Sequence, residues 1–369
     1  MKSQLLTKCL FITLIALNAY SDEFPGLGSY IDNEIITIND YKDLGFESDK
    51  SDIMESLSLQ SPVRSQGRRG TCSIFSAVAL LESKLISDLG FSTDINLSEE
   101  WVQFLAMRAR TSDGYWSYRN WYNISKHGIL SEESWPYDPT VWSEDNLGET
   151  QIKRCGHLTE VKLKSCLLGH RDHDLLIAKD EEILDVESDL FDPEFFDFKK
   201  EVKYSLTDWV DSLYDGSYSW SSAYQLYSVS EVREALKNKN FMTLSIPFFY
   251  GAWNHGRADS LGIGKDANNW KKGFVGFPEA GSMDVKISLE KENRAGHSVL
   301  VIGYDDNVII KTSQLMEDGT RKDFEYKGAY IFKNSWGDNS FGVESPIKAG
   351  YGLISAKYVH NYGSFYQLR

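Results

Sequence analysis

Long apolar runs are missing from this chain beyond its N-terminal segment. No later stretch approaches the ~18 uninterrupted apolar residues of a membrane-spanning helix, so a membrane span is not expected. Internal repeats and low-complexity segments are missing as well. With 41% hydrophobic and 25% charged residues, the 369 residues can bury the core of one large domain or two modest domains.

Basic residues are also in short supply. The chain has 39 Lys and Arg against 54 Asp and Glu, a formal net charge of −15. A surface of this sign repels nucleic acid, so a nucleic-acid partner is not expected. The acidic balance instead favours solubility outside the cell or a preference for basic substrates.

The N-terminal residues 1–21 have the pattern of a secretory signal peptide. Two lysines precede an apolar run from Cys9 to Leu17, and Ala19-Tyr20-Ser21 places small residues at positions −3 and −1 of a cleavage site. The run is too short to span a bilayer stably. We therefore predict cleavage near Ser21 and a secreted or periplasmic protein.

Cysteine is scarce, and its count is informative. Without Cys9, three cysteines remain: Cys72, Cys155 and Cys166. In an oxidising compartment an odd number leaves one free thiol or an intermolecular bridge. Cys155 and Cys166 are close enough in sequence to close a short disulfide loop, which would leave Cys72 as the thiol.

A metal site competes with that disulfide. Cys155, His157, Cys166, His170 and His173 lie close together in sequence and offer ligands that suit zinc. Their spacing matches no familiar zinc finger, however, and secretion favours a disulfide. We predict the disulfide, with no metal and no cofactor.

A buried helix is predicted to begin at or near Cys72. Apolar residues recur after it at intervals of three and four, and Gly90 stands where a C-terminal cap is expected. A second helix is expected after Ser98, because two glutamates that suit a helix N-terminus follow it. Residues 62–136 are therefore predicted to be mainly helical.

The downstream part of the chain is predicted to be rich in β-strand. Ser230 is expected to cap a short helix that runs through Leu236. Strands are predicted in four segments: Met242–Ile246, His297–Tyr304, Ala329–Lys333 and Tyr351–Ser355. These strands predict an antiparallel β half.

Three segments resemble the papain-like cysteine peptidases and follow the order of that family. Residues 61–76 (SPVRSQGRRGTCSIFS) resemble its nucleophile segment, residues 295–304 (AGHSVLVIGY) its histidine strand, and residues 330–337 (YIFKNSWG) its asparagine segment. The resemblance covers roughly residues 61–359, with one large gap. It implies an α+β fold in which a helical half packs against an antiparallel β-barrel-like half, with the active-site cleft between them.

The resemblance also implies a catalytic Cys/His/Asn triad. Cys72 would be the nucleophile, because a helix N-terminus and an adjacent imidazolium from His297 both lower a thiol pKa. Asn334 would accept from the other imidazole nitrogen and orient the ring. The Gln66 side chain and the Cys72 backbone amide would donate to the oxyanion.

Five further residues are candidates for substrate binding. Asp113 and Gly114 lie where the family places a Gly-Gly strip that hydrogen-bonds an extended substrate. Gly70 and Gly296, which lie beside the nucleophile and the histidine, are assigned to the same cleft. Trp336 is expected to shield the hydrogen bond between the histidine and the asparagine from water.

The sequence departs from the family pattern at the nucleophile and in spacing. Arg69 replaces the first cysteine of the pattern and Ser73 its aromatic residue, so a usual disulfide is absent and a divergent, bacterial branch is favoured. His297 and Asn334 follow Cys72 by far more than the family's ~130–150 residues. Most of the extra chain falls between Tyr137 and Ser228, and some between Asp305 and Gly328.

These observations predict five segments. They are a signal peptide (1–21), an N-terminal extension or short pro-segment (22–60), a helical half (61–137), an acidic insertion with the disulfide (138–227) and a β-rich half (228–369). The extension carries a strand-like run at Glu34–Ile38, and the insertion carries an acidic stretch at Asp180–Asp185 and an aromatic-rich one at Leu190–Asp197.

The predicted function is secreted cysteine endopeptidase activity on proteins or peptides through a Cys72 thioester. The chain is expected to be a monomer, and its N-terminal segment could inhibit the enzyme. A deamidase or transpeptidase on the same scaffold would share the triad. An inactive binding homologue would usually lack at least one member of it.

Overall fold

The structure is a computed structural model that describes residues 27–29, 49–107, 110–141, 148–169, 223–226 and 228–368. The predicted signal peptide, the run Glu34–Ile38, the acidic stretch and the aromatic-rich stretch lie outside the described residues. Within the described part of the chain, every helix is too short or too polar to cross a bilayer.

The helical half contains both predicted helices. Helix α2 begins at Cys72 itself, and Gly90 ends it in the left-handed conformation, with φ 67°. Ser98 caps α3, because its side chain accepts from the backbone N–H of Trp101. The first four helices are α1 (Ile53–Ser58), α2 (Cys72–Leu89), α3 (Glu99–Ala106) and α4 (Ser117–His127).

Part of the predicted insertion forms a helical hairpin, α5 (Glu149–Cys155) and α6 (Glu160–Gly169). The predicted disulfide between Cys155 and Cys166 is confirmed and ties the two helices together. Ser165 in α6 donates to the backbone carbonyl of Met107, just after α3. The hairpin therefore packs onto the helical half.

The β half is one sheet with the order β2-β8-β3-β5-β6-β7-β4, and β1 pairs with β5 outside this path. The pairs are antiparallel except β4 with β7, so the sheet is mixed rather than purely antiparallel. The strands are β1 (Gly28–Ser29), β2 (Ala223–Leu226), β3 (Met242–Pro247), β4 (Phe274–Val275), β5 (Ala295–Leu315), β6 (Arg321–Lys333), β7 (Tyr351–Ser355) and β8 (Ser364–Leu368).

Strands β5 and β6 are longer than predicted. Residues 309–315 of β5 pair with residues 321–327 of β6, so the extra chain expected between Asp305 and Gly328 is a β-hairpin rather than a loop. Its side chains are largely exposed or half-buried, which explains why the core pattern did not reveal it. The α+β class is confirmed.

One predicted cap is wrong. The helix α7 (Val229–Lys237) is capped by Ser228, not Ser230. The Ser228 side chain accepts from the N–H of Glu231, whose carboxylate accepts from the N–H of Ser228, so a full capping box forms. Ser230 lies inside the first turn. The remaining helices are α8 (Arg257–Ser260), α9 (Ala267–Lys272), α10 (Met283–Ser288) and α11 (Ala356–Tyr362).

Helix α2 packs against β5 at the centre of the molecule. The hydroxyl oxygens of Ser76 and Ser298 lie 2.7 Å apart and join the two elements. Ser76 lies one helical turn after Cys72, and Ser298 directly follows His297. The packing of the two halves therefore brings the N-terminal end of α2 to the start of β5.

Candidate active site

Cys72 is the first residue of α2 and is buried. The side chain of Thr71, the N-cap residue, accepts no hydrogen bond from the backbone N–H groups of the first turn. A helix N-terminus favours negative charge through these N–H groups and the helix dipole. The position therefore suits a thiolate.

His297 is buried on β5 and is oriented by Asn334. Its Nε2 lies 2.9 Å from Asn334 Oδ1. Because an amide oxygen can only accept, Nε2 carries the proton and Nδ1 is the basic nitrogen. Nδ1 has no hydrogen-bond partner among the described residues, so it is available to take a proton.

Burial lowers the pKa of His297 to about 4, although the hydrogen bond to Asn334 opposes the shift. The imidazole alone is therefore neutral at pH 7. A neighbouring anion would raise this pKa again, because an opposite charge stabilises the protonated ring. The imidazolium would then exist as the partner of a thiolate.

Trp336 covers the hydrogen bond between His297 and Asn334. Its ring lies 4.5 Å from the imidazole, centroid to centroid, at an interplanar angle of 23°. Trp270 stacks on Trp336 at 5.6 Å, and Trp253 meets the imidazole edge-on at 5.1 Å. Sequence reasoning missed Trp253 and Trp270, whose positions carry no recognised motif.

Gln66 is held by groups from both halves of the fold. Its Nε2 donates to the carbonyl oxygen of Arg69 at 2.7 Å, and its Oε1 accepts from Ser335 Oγ at 2.6 Å. The Gln66 backbone N–H also donates to the Ser335 carbonyl. The Gln66 amide is therefore held at both its nitrogen and its oxygen. Ser335 is an orienting residue that was not predicted.

Gly70 and Gly296 both lie close to residues 27–29. Gly28 of β1 pairs with Gly296. A Cβ added to Gly70 would lie 2.7 Å from the Leu27 carbonyl oxygen. Residues 27–29 therefore approach both the segment that carries Cys72 and the strand that carries His297.

Asp113 and Gly114 lie beside Gly70. The Asp113 carboxylate accepts from Arg69 and from the Gln103 amide, and Gly114 donates its N–H to Gln103 Oε1 at 3.3 Å. Gly114 has φ 74°, and a Cβ there would meet the Gly70 carbonyl oxygen, so glycine is required. Its predicted role in binding substrate stays a prediction.

A series of three hydrogen-bonded, buried side chains begins at Lys333, the residue before Asn334. Lys333 Nζ donates to Ser61 Oγ at 2.8 Å, and Ser61 donates in turn to the Glu82 carboxylate on α2. Burial lowers the pKa of Lys333 to about 8 and raises the pKa of Glu82. These hydrogen bonds link the end of β6 to helix α2.

The disulfide decides between the two predictions for the insertion, because it takes both cysteine ligands of the zinc alternative. His170 and His173 lie outside the described residues. In the described ranges no group of three or more His, Cys, Asp or Glu side chains is arranged to hold a metal ion.

A family model and a curated relative each match part of the chain. Residues 48–188 match the model of the Papain family cysteine protease. Zingipain-1 of Zingiber officinale is 38% identical over 80 residues, which are 21% of this chain and 35% of that protein, so the match spans about a third of the relative's length.

Two solved structures can be superposed on the chain at low identity. Xylellain, a cysteine protease from Xylella fastidiosa, is 14% identical with a TM-score of 0.46, and the match covers 93% of this chain and 91% of Xylellain. The bromelain protease from Ananas comosus is 15% identical with a TM-score of 0.41, and the match covers 87% of this chain and 99% of bromelain.

Proposed function

We propose that this chain is a papain-family cysteine protease, a secreted endopeptidase that cleaves peptide bonds through a thioester at Cys72. The observation that carries the proposal is the hydrogen bond of 2.9 Å between His297 and Asn334, which leaves Nδ1 of the buried imidazole as the base. Cys72 at the first position of α2 supplies the nucleophile.

The reaction proceeds in two acyl transfers. The Cys72 proton passes to His297 Nδ1, and the sulfur attacks the substrate carbonyl carbon. The oxyanion accepts from Gln66 Nε2 and from the Cys72 backbone N–H. The imidazolium then protonates the leaving amine, and a thioester remains on Cys72. Water, deprotonated by His297, attacks this thioester and releases the acid and the thiol.

The N-terminal segment inhibits this reaction in the uncleaved chain. Support comes from residues 27–29, because Gly28 of β1 pairs with Gly296 and the Leu27 carbonyl lies close to Gly70, and both glycines are assigned to the cleft. An extended substrate could add to β5 in the same way, so β1 and a substrate would compete. Cleavage at a processing-protease site introduced between residues 30 and 48 should therefore raise the activity. Unchanged activity after complete cleavage would refute the inhibition.

Secretion is supported by the signal-peptide pattern of residues 1–21 and by the disulfide between Cys155 and Cys166. A fusion of residues 1–21 to a reporter should direct export with cleavage near Ser21. The bacterial origin and the monomeric state stay predictions.

Product analysis tests the endopeptidase activity. An unfolded protein incubated with the processed enzyme should acquire new internal amino termini, each matched by a new carboxyl terminus in the mass spectrum. Release of ammonia without chain cleavage, or crosslinked products, would instead indicate a deamidase or transpeptidase. Absence of any product, with an intact fold, would indicate a binding homologue.

A further inference from the structure

Arg69 lies in the nucleophile loop, the segment that leads from Gln66 to Cys72, and its side chain makes contacts that catalysis by Cys72 does not require. Its side chain is buried, and the two carboxylates of Glu100 and Asp113 lie against it. Burying a guanidinium is costly unless it is paired and fully hydrogen-bonded. Such a group indicates a specific role for the residue that replaces the first cysteine of the family pattern.

All five N–H groups of the guanidinium are used. Nε and Nη2 donate to the two oxygens of Asp113 at 3.2 and 3.1 Å, and Nη1 donates to Glu100 at 2.7 Å. The remaining two donate to backbone carbonyls, Nη1 to Asp138 at 2.9 Å and Nη2 to Leu168 at 2.6 Å. Arginine is the only side chain that can supply this set of donors.

These contacts join four separate segments to the nucleophile loop. Glu100 lies on α3, Asp113 precedes Gly114, Asp138 follows the helical half, and Leu168 lies in α6 of the disulfide-linked hairpin. The hairpin is therefore attached to the active-site loop as well as to α3. One guanidinium therefore hydrogen-bonds to all four segments.

The network reaches the predicted oxyanion donor through the Arg69 backbone. The Arg69 carbonyl accepts from Gln66 Nε2 at 2.7 Å. The guanidinium also lies 5.3 Å from the centroid of the Tyr137 ring, and the Tyr137 hydroxyl donates to the Gln66 carbonyl at 3.0 Å. A change at the guanidinium would move the acceptor that orients the Gln66 amide.

We propose that Arg69 is a positioning residue that fixes the Gln66 amide and the turn at Asp113 and Gly114 for an extended peptide and its oxyanion. This role rests on the proposed function of the cleft. Arg69 acts through Gln66 and the turn at Asp113 and Gly114, and it touches no reacting atom itself. The rate at which Cys72 reacts with a small reagent that needs neither the oxyanion donors nor the turn should not depend on it.

Two reagents separate this role from a merely structural one. Iodoacetamide alkylates the thiolate by direct displacement of iodide. A peptide aldehyde instead requires the cleft, because the Cys72 sulfur adds to its carbonyl carbon and the oxygen becomes the oxyanion before it is protonated. Arg69→Lys keeps the charge but supplies three donors in place of five.

The test measures both reactions in processed Arg69→Lys protein, with Arg68→Lys as the control, since Arg68 is exposed in the same loop. We expect the aldehyde to bind about 10- to 100-fold more weakly to Arg69→Lys, with unchanged alkylation by iodoacetamide. Arg68→Lys should behave as the unaltered enzyme. Should Arg69→Lys fail to fold, Asp113→Asn removes one ionic partner of Arg69. This variant is also expected to bind the aldehyde more weakly while its alkylation by iodoacetamide is unchanged.

Equal aldehyde binding by Arg69→Lys and the unaltered protein would overturn the positioning role. Parallel losses in alkylation and aldehyde binding would also overturn it, because they would mean that Arg69 only holds the fold. An unaltered, processed protein that is alkylated but binds no peptide aldehyde would instead overturn the function proposed for the cleft. The aldehyde readout needs no turnover, so it applies equally to a peptidase and to another acyl-transfer enzyme.

Discussion

At the scale of single residues, the orientation of His297 depends on one acceptor. Asn334 Oδ1 is 2.9 Å from Nε2, and the same oxygen accepts from the Ser335 backbone N–H. The second bond fixes the amide, so its oxygen rather than its nitrogen faces the ring. Trp336 then limits the access of water to this pair.

Asn334→Ala should lower kcat/KM for peptide hydrolysis by about 100-fold, or ~2.7 kcal/mol, because the imidazole loses its fixed tautomer and orientation. The matched control is Asn361→Ala, which removes an asparagine from the terminal helix α11, where its amide donates to Lys357. Steady-state kinetics on one fluorogenic peptide would measure both. A fall of less than threefold for Asn334→Ala, or an equal fall in both variants, would contradict the role of Asn334.

At the scale of secondary-structure elements, the start of α7 shows what local sequence leaves undecided. Ser228 and Ser230 are both good N-cap residues, and propensity does not choose between them. The capping box chooses Ser228, because Glu231 is three residues later and returns a hydrogen bond to its N–H. Helix α2 was easier to predict, since Gly90 and a long apolar pattern agree on its bounds.

Ser228→Ala should therefore destabilise the protein by about 1 kcal/mol, whereas Ser230→Ala should cost less than about 0.5 kcal/mol. Denaturant unfolding followed by tryptophan fluorescence would give both values. The reverse order of the two effects would mean that Ser230 is the cap after all.

At the scale of the whole molecule, two buried histidines make stability depend on pH. Burial lowers the pKa of His297 to about 4 and of His360 to about 3. Between these values and about 6.5, the unfolded chain binds protons that the folded chain does not. The contribution of these two histidines to stability should therefore fall as the pH drops from about 6.5 towards 4, and it should not change above pH 6.5.

His360→Gln should flatten this dependence without affecting the active site, because His360 lies on α11 and bonds to the Tyr330 hydroxyl at 2.8 Å. The measurement is the free energy of unfolding at several values between pH 4 and 7. We expect the variant to lose less stability over this interval, by on the order of a few kcal/mol. An unchanged pH slope would contradict a neutral, buried His360.

Sequence alone predicted the α+β class, which the fold confirms, and it nominated Cys72, His297, Asn334 and the oxyanion donor Gln66, because these predictions depend on short motifs and on local periodicity. It missed the hydrogen bonds of the Arg69 guanidinium and the packing of Trp253 and Trp270 around His297 and Trp336, and the reason is the same for both. Their partners are remote in sequence, and nothing local shows that Arg69 and Leu168 will meet. The long β-hairpin of β5 and β6 was missed because its side chains do not follow a core pattern.

The central claim is that Cys72 forms the acyl-enzyme. The most direct measurement is the mass of the processed enzyme after acid quench during turnover of an unfolded protein or activated peptide ester, with peptide mapping of the modified site. The account predicts a substrate acyl group on Cys72, and neither acylation nor cleavage in a folded Cys72→Ala variant. Cleavage that persists in Cys72→Ala would contradict it.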